Sequence, residues 1–147
     1  MRWCGTLALV AALAGCASTP QASVEHDAEA KQFGSSPATA TVYVYRPDTA
    51  QDETVLWIDN RLIGSTLPRT YFRVHLDPGR HVFTGVAVDN GRLELETRPG
   101  EVYFVAHTLA AGQSRFMPVS ADIGRKMVAN CCSLLENWAS GQRPLLR

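Results

Sequence analysis

The 147-residue chain lacks the features of several large classes of protein. It has no excess of charge, because 14 Lys and Arg residues balance 14 Asp and Glu residues, and it contains no basic block. Nucleic-acid binding and attraction to anionic lipid through basic residues are therefore not predicted. The apolar run near the amino end covers only residues 7–13, which is too short to cross a bilayer.

Motifs for catalysis and for cofactor binding are also missing. No G-x-S-x-G elbow and no phosphate-cradling glycine loop occurs. His75, His81 and His107 fall on predicted strands without the paired spacing of metal-binding motifs, so we predict no shared metal site. The sequence thus predicts a protein that is not an enzyme and carries no cofactor and no metal, and a hydrolase is the least favoured alternative.

Cysteine is scarce, with four residues in the whole chain, and these cannot form a disulfide framework. Cys131 and Cys132 are adjacent, and a ring closed between neighbours strains the peptide that joins them, so we expect no bridge between them. We interpret Cys131 as a buried apolar side chain and Cys132 as a half-exposed thiol at its rim. An intermolecular bridge through Cys132 stays open.

The amino end has the layout of an export signal. Arg2 precedes the apolar run, small residues follow, and the chain then becomes polar. A cysteine directly after Leu-Ala-Gly, Cys16, resembles the lipobox of bacterial lipoproteins. The resemblance implies that residues 1–15 are removed and that acyl chains on Cys16 anchor the mature protein in a membrane. An ordinary cleavage after Ala14 is the alternative, since small residues occupy both required positions.

The rest of the chain divides by composition. Residues 16–39 are rich in Ala, Ser, Thr, Gln and Pro, which predicts a flexible tether. Residues 40–141 form the predicted folded domain, and residues 142–147 are a tail. Within the domain, short segments of alternating apolar and polar residues are separated by turn signals. The predicted strands cover residues 41–46, 55–58, 61–64, 71–76, 81–88, 92–97, 102–109 and 115–119.

Closely spaced short strands with no intervening helix predict an antiparallel β-sandwich of seven to eight strands. Pro118 places the last of these strands at a sheet edge. From Ser120 onward, apolar residues recur with helical spacing as far as Trp138. This pattern predicts one C-terminal amphipathic helix that packs on the sandwich and ends near Gly141.

Several segments resemble known bacterial families. The first strand and its Arg-Pro end resemble the opening of a lipoprotein family known as domain of unknown function 2846, and three later segments do the same over residues 40–111. The strand-Ile-Asp-turn-Ile-Gly pattern followed by Pro-Gly-x-His is also similar to the PEGA repeat of surface proteins. Both resemblances imply a β-sandwich, and neither implies catalytic residues. The segments concerned are residues 40–47, 55–64, 71–72 and 77–81.

These observations together predict a lipid-anchored envelope module that binds or scaffolds a protein partner. Because Ala17 rather than Asp follows Cys16, the resemblance to lipoproteins implies delivery to the outer membrane, facing the periplasm. The alternative is a glycan- or peptide-binding module in which Tyr45 and Trp57 face the ligand. Aromatic residues at alternating strand positions are more often part of a core.

Overall fold

The computed structural model describes residues 19–86 and 91–137, and the remaining residues, 1–18, 87–90 and 138–147, lie outside its described part. Two sheets pack face to face, and two helices cover the outer face of one of them, which confirms the predicted β-sandwich. The elements are, in order, α1 (Val24–Ala30), β1 (Ala40–Arg46), β2 (Thr54–Ile58), β3 (Arg61–Thr66), β4 (Thr70–Leu76), β5 (Gly79–Val86), β6 (Arg92–Thr97), β7 (Val102–Ala110), β8 (Gln113–Val119), α2 (Ala121–Cys131) and β9 (Ser133–Leu134).

The first sheet has the strand order β8-β7-β1-β4-β9, and the second has the order β3-β2-β5-β6. Neighbouring strands are antiparallel apart from two parallel pairs, β1 with β7 and β4 with β9. No crossover helix is needed between β1 and β7, because the chain builds the second sheet between these two strands. β8 lies at a sheet edge, as its proline predicted.

The hairpin of β2 and β3 follows directly from its turn residues. Asp59 and Asn60 both have positive φ, at 51° and 61°, which is the backbone of the tight turn that matches strand twist. The register shifts between Leu56 and Trp57, and Gly64 lies opposite that irregularity with φ at 157°. A Cβ atom on Gly64 would come within 2.8 Å of the Phe72 ring, so the absence of a side chain lets the two sheets approach.

Two apolar clusters account for the packing. The one between the sheets consists of Val42, Val44, Leu56, Ile58, Ile63, Phe72, Val74, Phe83, Val105 and Leu135. The other lies between the first sheet and the helices and consists of Ala30, Tyr43, Tyr45, Tyr71, Phe104, Ala106, Val128, Cys132 and Leu134. Alternate residues of β1 therefore enter opposite clusters, and every residue of this strand is buried.

The prediction of a flexible tether over residues 16–39 is wrong for its described part. Thr19 is buried and its hydroxyl accepts a hydrogen bond from the Ser65 amide at 2.8 Å. The helix α1 is capped by Ser23, and its last residue, Ala30, is fully buried, with its carbonyl bound by Tyr43 Oη. Phe33 then packs edge-on against two aromatic rings of the second cluster. The packed body thus begins by Thr19, because this segment covers apolar surface that the strands leave open.

The predicted C-terminal helix exists, but its predicted extent is wrong. It begins after Ser120 as expected and ends at Cys131, where Cys132 adopts an extended backbone. The chain then joins the first sheet as β9, so Leu134 and Leu135 enter the core from a strand. The expectation of two unbridged thiols is also wrong, because Cys131 and Cys132 form a disulfide. Of the pair, Cys132 rather than Cys131 is the buried residue, with 4% exposure.

Candidate functional site

A polar cleft lies at one end of the sandwich, where the β2–β3 turn, the end of β4 and the start of β5 meet the segment after β9. It consists of two adjoining cavities with volumes of about 340 Å³ and 200 Å³. Both cavities are lined by His75 and Asn137, which therefore mark their common boundary. The cleft combines residues from five separate parts of the chain, including His26 of α1, and we refer to it below as the His75–Asn137 cleft.

An ion pair closes one side of the larger cavity. Asp59 Oδ2 lies 2.6 Å from His81 Nδ1, and Asp59 Oδ1 accepts the Val82 amide at 2.8 Å. His81 Nε2 lies 2.7 Å from the Asp77 carbonyl oxygen, so both ring nitrogens face acceptors. Burial alone lowers the pKa of His81, but the hydrogen bonds to Asp59 and Asp77 outweigh it and raise the pKa. The ion pair of Asp59 and His81 is thus neutral overall, and it holds the β2–β3 turn in place.

A hydrogen-bond network forms the wall of the smaller cavity. Arg73 donates to Glu29 Oε1 at 3.0 Å and to His26 Nε2 at 3.1 Å. Because a guanidinium can only donate, His26 accepts at Nε2 and donates from Nδ1 to Glu136 Oε1 at 2.9 Å. The network therefore links α1, β4 and the segment after β9, and the charge of Arg73 is met by Glu29.

Asn137 has a side-chain oxygen in the cleft that lacks a hydrogen-bond partner among the described residues. Its Nδ2 donates to the Arg73 carbonyl at 2.8 Å, whereas its Oδ1 is buried and has no hydrogen-bond partner within the described residues. A buried acceptor without a partner costs about 1–3 kcal/mol, which a ligand donor would recover. The neighbouring His75 is exposed and contacts Thr41 Oγ1 at 3.3 Å through Nδ1. Burial and the nearby Arg73 lower the pKa of His75, which favours the neutral imidazole.

Arg61 is a cationic side chain of the cleft that has no ion-pair partner among the described residues. It lies at the start of β3, lines the larger cavity and is exposed to solvent. Its guanidinium has no ion pair or hydrogen bond to any other residue of the described part of the chain. Within residues 19–86 and 91–137, the cleft therefore presents the cation of Arg61 and the carboxylate of Asp77, each without a side-chain partner, together with a neutral imidazole and an unpaired carbonyl oxygen. This set suits a ligand that carries an anionic group and also donates an N–H or O–H hydrogen bond.

The residues that were predicted as site residues differ in their positions and burial. Cys16 lies outside the described residues. Tyr45 is 2% exposed and belongs to the second apolar cluster, so the prediction that it faces a ligand is wrong. It is buried because α1 and α2 cover that face of β1. Trp57 is half-buried on β2 and does not line either cavity, so its role as a ligand-facing aromatic stays a prediction.

A buried Ser–His pair lies elsewhere, between the two sheets. His107 Nε2 is 2.7 Å from Ser114 Oγ, both residues are buried, and the Phe116 ring stacks on the imidazole. His107 Nδ1 has no hydrogen-bond partner among the described residues, so no third group orients the ring as in a catalytic triad. Burial, with a smaller effect of Arg46, lowers the pKa of His107 to about 4. The pair therefore belongs to the core, and the cleft is the better candidate site.

The three histidines that were considered as metal ligands do not share one site in the structure. His75, His81 and His107 bind three different groups, namely a threonine, an aspartate and a serine. Among the described residues, no three His, Cys, Asp or Glu side chains come together as metal ligands would. Neither described helix is long and apolar enough to cross a membrane.

The chain is similar to a bacterial protein over most of its length. A protein of Haemophilus influenzae, named only as an uncharacterized protein, is 30% identical over 126 residues, which cover 80% of this chain and 74% of that protein. No protein-family model matches the chain, so the resemblances to domain of unknown function 2846 and to PEGA repeats stay predictions. No solved structure matches it significantly.

Proposed function

Because the chain belongs to the same family as this Haemophilus influenzae protein, whose name assigns no activity, we propose from its own residues that it is a lipid-anchored envelope module that binds a protein partner. The partner contributes an acidic peptide segment to the His75–Asn137 cleft. The observation that carries this proposal is that one cavity is lined both by Arg61, a cation without an ion-pair partner among the described residues, and by Asn137, whose buried Oδ1 lacks a hydrogen-bond donor.

The chemistry of the cleft selects among ligands. A carboxylate can pair with Arg61, and a peptide N–H can donate to Asn137 Oδ1. A peptide carries both kinds of group on one chain, and amide N–H groups recur along its whole length. A ligand that binds through stacked sugar rings is not favoured, because Tyr45 is buried and the residues lining both cavities include no aromatic side chain apart from histidine.

The amino-terminal segment supports placement at a membrane surface. Thr19 is fixed on β3, and only three residue steps separate it from Cys16. An extended chain advances about 3.5 Å per residue, so acyl chains on Cys16 would hold the body roughly 10 Å from its anchor. The protein would thus be held directly at the bilayer, binding partners near the membrane rather than across the envelope.

Calorimetric titration of the purified residue 19–147 chain with a pool of synthetic acidic nonapeptides tests the proposed ligand class. We expect the acidic pool to bind, and a pool with Gln and Asn in place of the acidic residues to bind at least tenfold more weakly. Arg61→Gln should weaken binding of the acidic pool about tenfold, because it removes a charge-assisted hydrogen bond.

Arg115→Gln is the matched control. Arg115 is also an exposed arginine near the start of a strand, but it lies on β8 and lines neither cavity. It should leave peptide affinity unchanged. Equal binding of the acidic and uncharged pools, equal losses in the two variants, or binding of soluble peptidoglycan fragments in place of the peptides would contradict the proposal.

A further inference from the structure

The disulfide between Cys131 and Cys132 lies where the helix α2 changes into the strand β9. Cys131 is the last helical residue, and Cys132 has φ −132° and ψ 149°, which is extended backbone. Three residues later the chain reaches Leu135, and the following two, Glu136 and Asn137, line the cleft. The bridge therefore lies directly upstream of the segment that completes the proposed binding site.

The sequence beyond this bridge retains the spacing of a helix. Apolar residues at Cys131, Leu134 and Leu135 continue the pattern of Ile123 and Met127, which is why the helix is predicted to run on. Neighbouring side chains on a helix point about 100° apart, so two adjacent cysteines cannot be bonded within one. The disulfide thus excludes a continuous helix through Cys132, and reduction removes that exclusion.

We infer that Cys131 and Cys132 form a two-electron redox site that is reduced by a dithiol and that controls how firmly residues 133–137 are docked. One thiolate of the reductant attacks the half-buried Cys131 sulfur, the S–S bond breaks, and the electron pair leaves on Cys132 Sγ, which takes up a proton. The second thiol of the reductant then displaces Cys131, which is protonated in turn. The reductant leaves as its own disulfide, and the chain gains two electrons and two protons.

The docked segment is held by contacts that do not involve the bridge, and Leu134 and Leu135 are almost fully buried in the two apolar clusters. Ser133 N donates to the Arg69 carbonyl, Leu135 N to the Tyr71 carbonyl at 2.8 Å, and Glu136 N to the Pro20 carbonyl at 2.8 Å. These bonds oppose release in both redox states. The bridge adds a bias toward the docked state, because it prevents the competing helical path. Reduction therefore loosens Glu136 and Asn137 without unfolding the sandwich.

Amide hydrogen exchange measured by mass spectrometry tests this inference on the oxidised and dithiothreitol-reduced chain. Intact mass should first show the oxidised chain about 2 Da lighter, as expected for one disulfide. Exchange of residues 133–137 should rise about tenfold on reduction, while the amides of β1 and β7 stay unchanged. The loss of peptide affinity expected on reduction rests on the proposed function, whereas the exchange measurement does not depend on any ligand.

Two variants keep the test independent of the reductant. Cys131→Ser removes the bridge and leaves the buried Cys132 in place, so it should show fast exchange with and without dithiothreitol. Arg125→Ser, on the same helix and remote from the bridge, should retain the redox response. Free thiols at Cys131 and Cys132 in the chain isolated under oxidising conditions, or unchanged exchange at 133–137 after verified reduction, would overturn the inference.

Discussion

Tyr71 Oη donates a hydrogen bond of 2.9 Å to Asp27 Oδ1, and the same carboxylate oxygen accepts the Leu134 amide at 2.8 Å. One side chain of α1 thereby joins β4 and β9. Burial raises the pKa of Asp27, but the hydrogen bonds from Lys31, Tyr71 and Leu134 outweigh it and lower the pKa. The amino-terminal segment is therefore fastened to the sheet by a carboxylate that stays ionised.

Asp27→Ala should destabilise the fold by about 1–3 kcal/mol, because it leaves a buried tyrosine hydroxyl and a backbone amide without their acceptor. Urea unfolding followed by circular dichroism measures the change. Glu25→Ala, on the exposed side of the same helix turn, is the control and should change stability by less than about 0.5 kcal/mol. Equal effects of the two substitutions would mean that α1 does not depend on the Asp27 contacts.

Gly124→Ala should also destabilise the protein, through close packing. A Cβ atom at Gly124 would lie 2.1 Å from the Phe104 ring, and Phe104 is held between the rings of Tyr43 and Phe33. We expect a loss of about 1–3 kcal/mol in thermal or urea unfolding. Gly34→Ala is the matched control, since nothing lies within 4 Å of its Cβ position, and a loss there of similar size would refute the packing argument.

The strands were predictable because each carries its own signal. Alternating residues and strong turn residues indicate all eight longer strands with small errors at their ends. The segments that were mispredicted pack against residues that are far away in the sequence. Residues 19–39 look polar and flexible in isolation, and only the aromatic face of the first sheet makes their packing favourable. The helix after Ser120 ends at Cys131 because Leu134 and Leu135 find better burial in the sheet than local periodicity indicates.

The cleft was less predictable than the fold. Arg61, His75 and Asn137 are separated in sequence, and none belongs to a recognisable motif. The alternation of β4 places Arg73 and His75 on one face, and the turn at Asp59 is evident from its residues. Asn137 joins them only because the predicted helix ends early. Local alternation alone leaves Tyr45 available to a ligand, because it does not reveal that two helices cover β1.

As pH falls, the loss of folding stability that is due to His107 should begin at a higher pH than the loss that is due to the carboxylates. Its folded pKa of about 4 lies below the ordinary value of 6.5, so the unfolded chain binds a proton first. The stability that this neutral imidazole contributes is complete above pH 6.5 and is lost as pH falls to about 4, a change of about 3 kcal/mol. Urea unfolding at several pH values measures it.

The control for this experiment is His107→Gln, whose stability should fall less steeply over the same range. His81 acts in the opposite direction, because its raised pKa gives stability that is present below pH 6.5 and lost as pH rises through the folded value. The difference between the native and variant curves isolates His107. Parallel curves would contradict the prediction.

The anchor is tested by the intact mass of the membrane-fraction protein. We expect a mature chain that begins at Cys16 and carries added acyl mass, and we expect Cys16→Ala to remove the protein from the membrane fraction. Ser18→Ala is a control that leaves the cysteine intact and should not alter localisation. A mature chain that begins at Gly15 without acyl mass would establish ordinary signal cleavage instead.

The most direct test of the proposed binding site is site-specific photo-crosslinking in intact cell envelopes, with a photo-reactive phenylalanine analogue at position 77 or at position 115. Position 77 is exposed and lines the larger cavity, and a probe there leaves Arg61 in place. The account predicts one discrete adduct from position 77, mapped by mass spectrometry to an acidic segment of a protein, and no matching adduct from position 115. The same adducts from both positions, or a position 77 adduct with glycan alone, would contradict it.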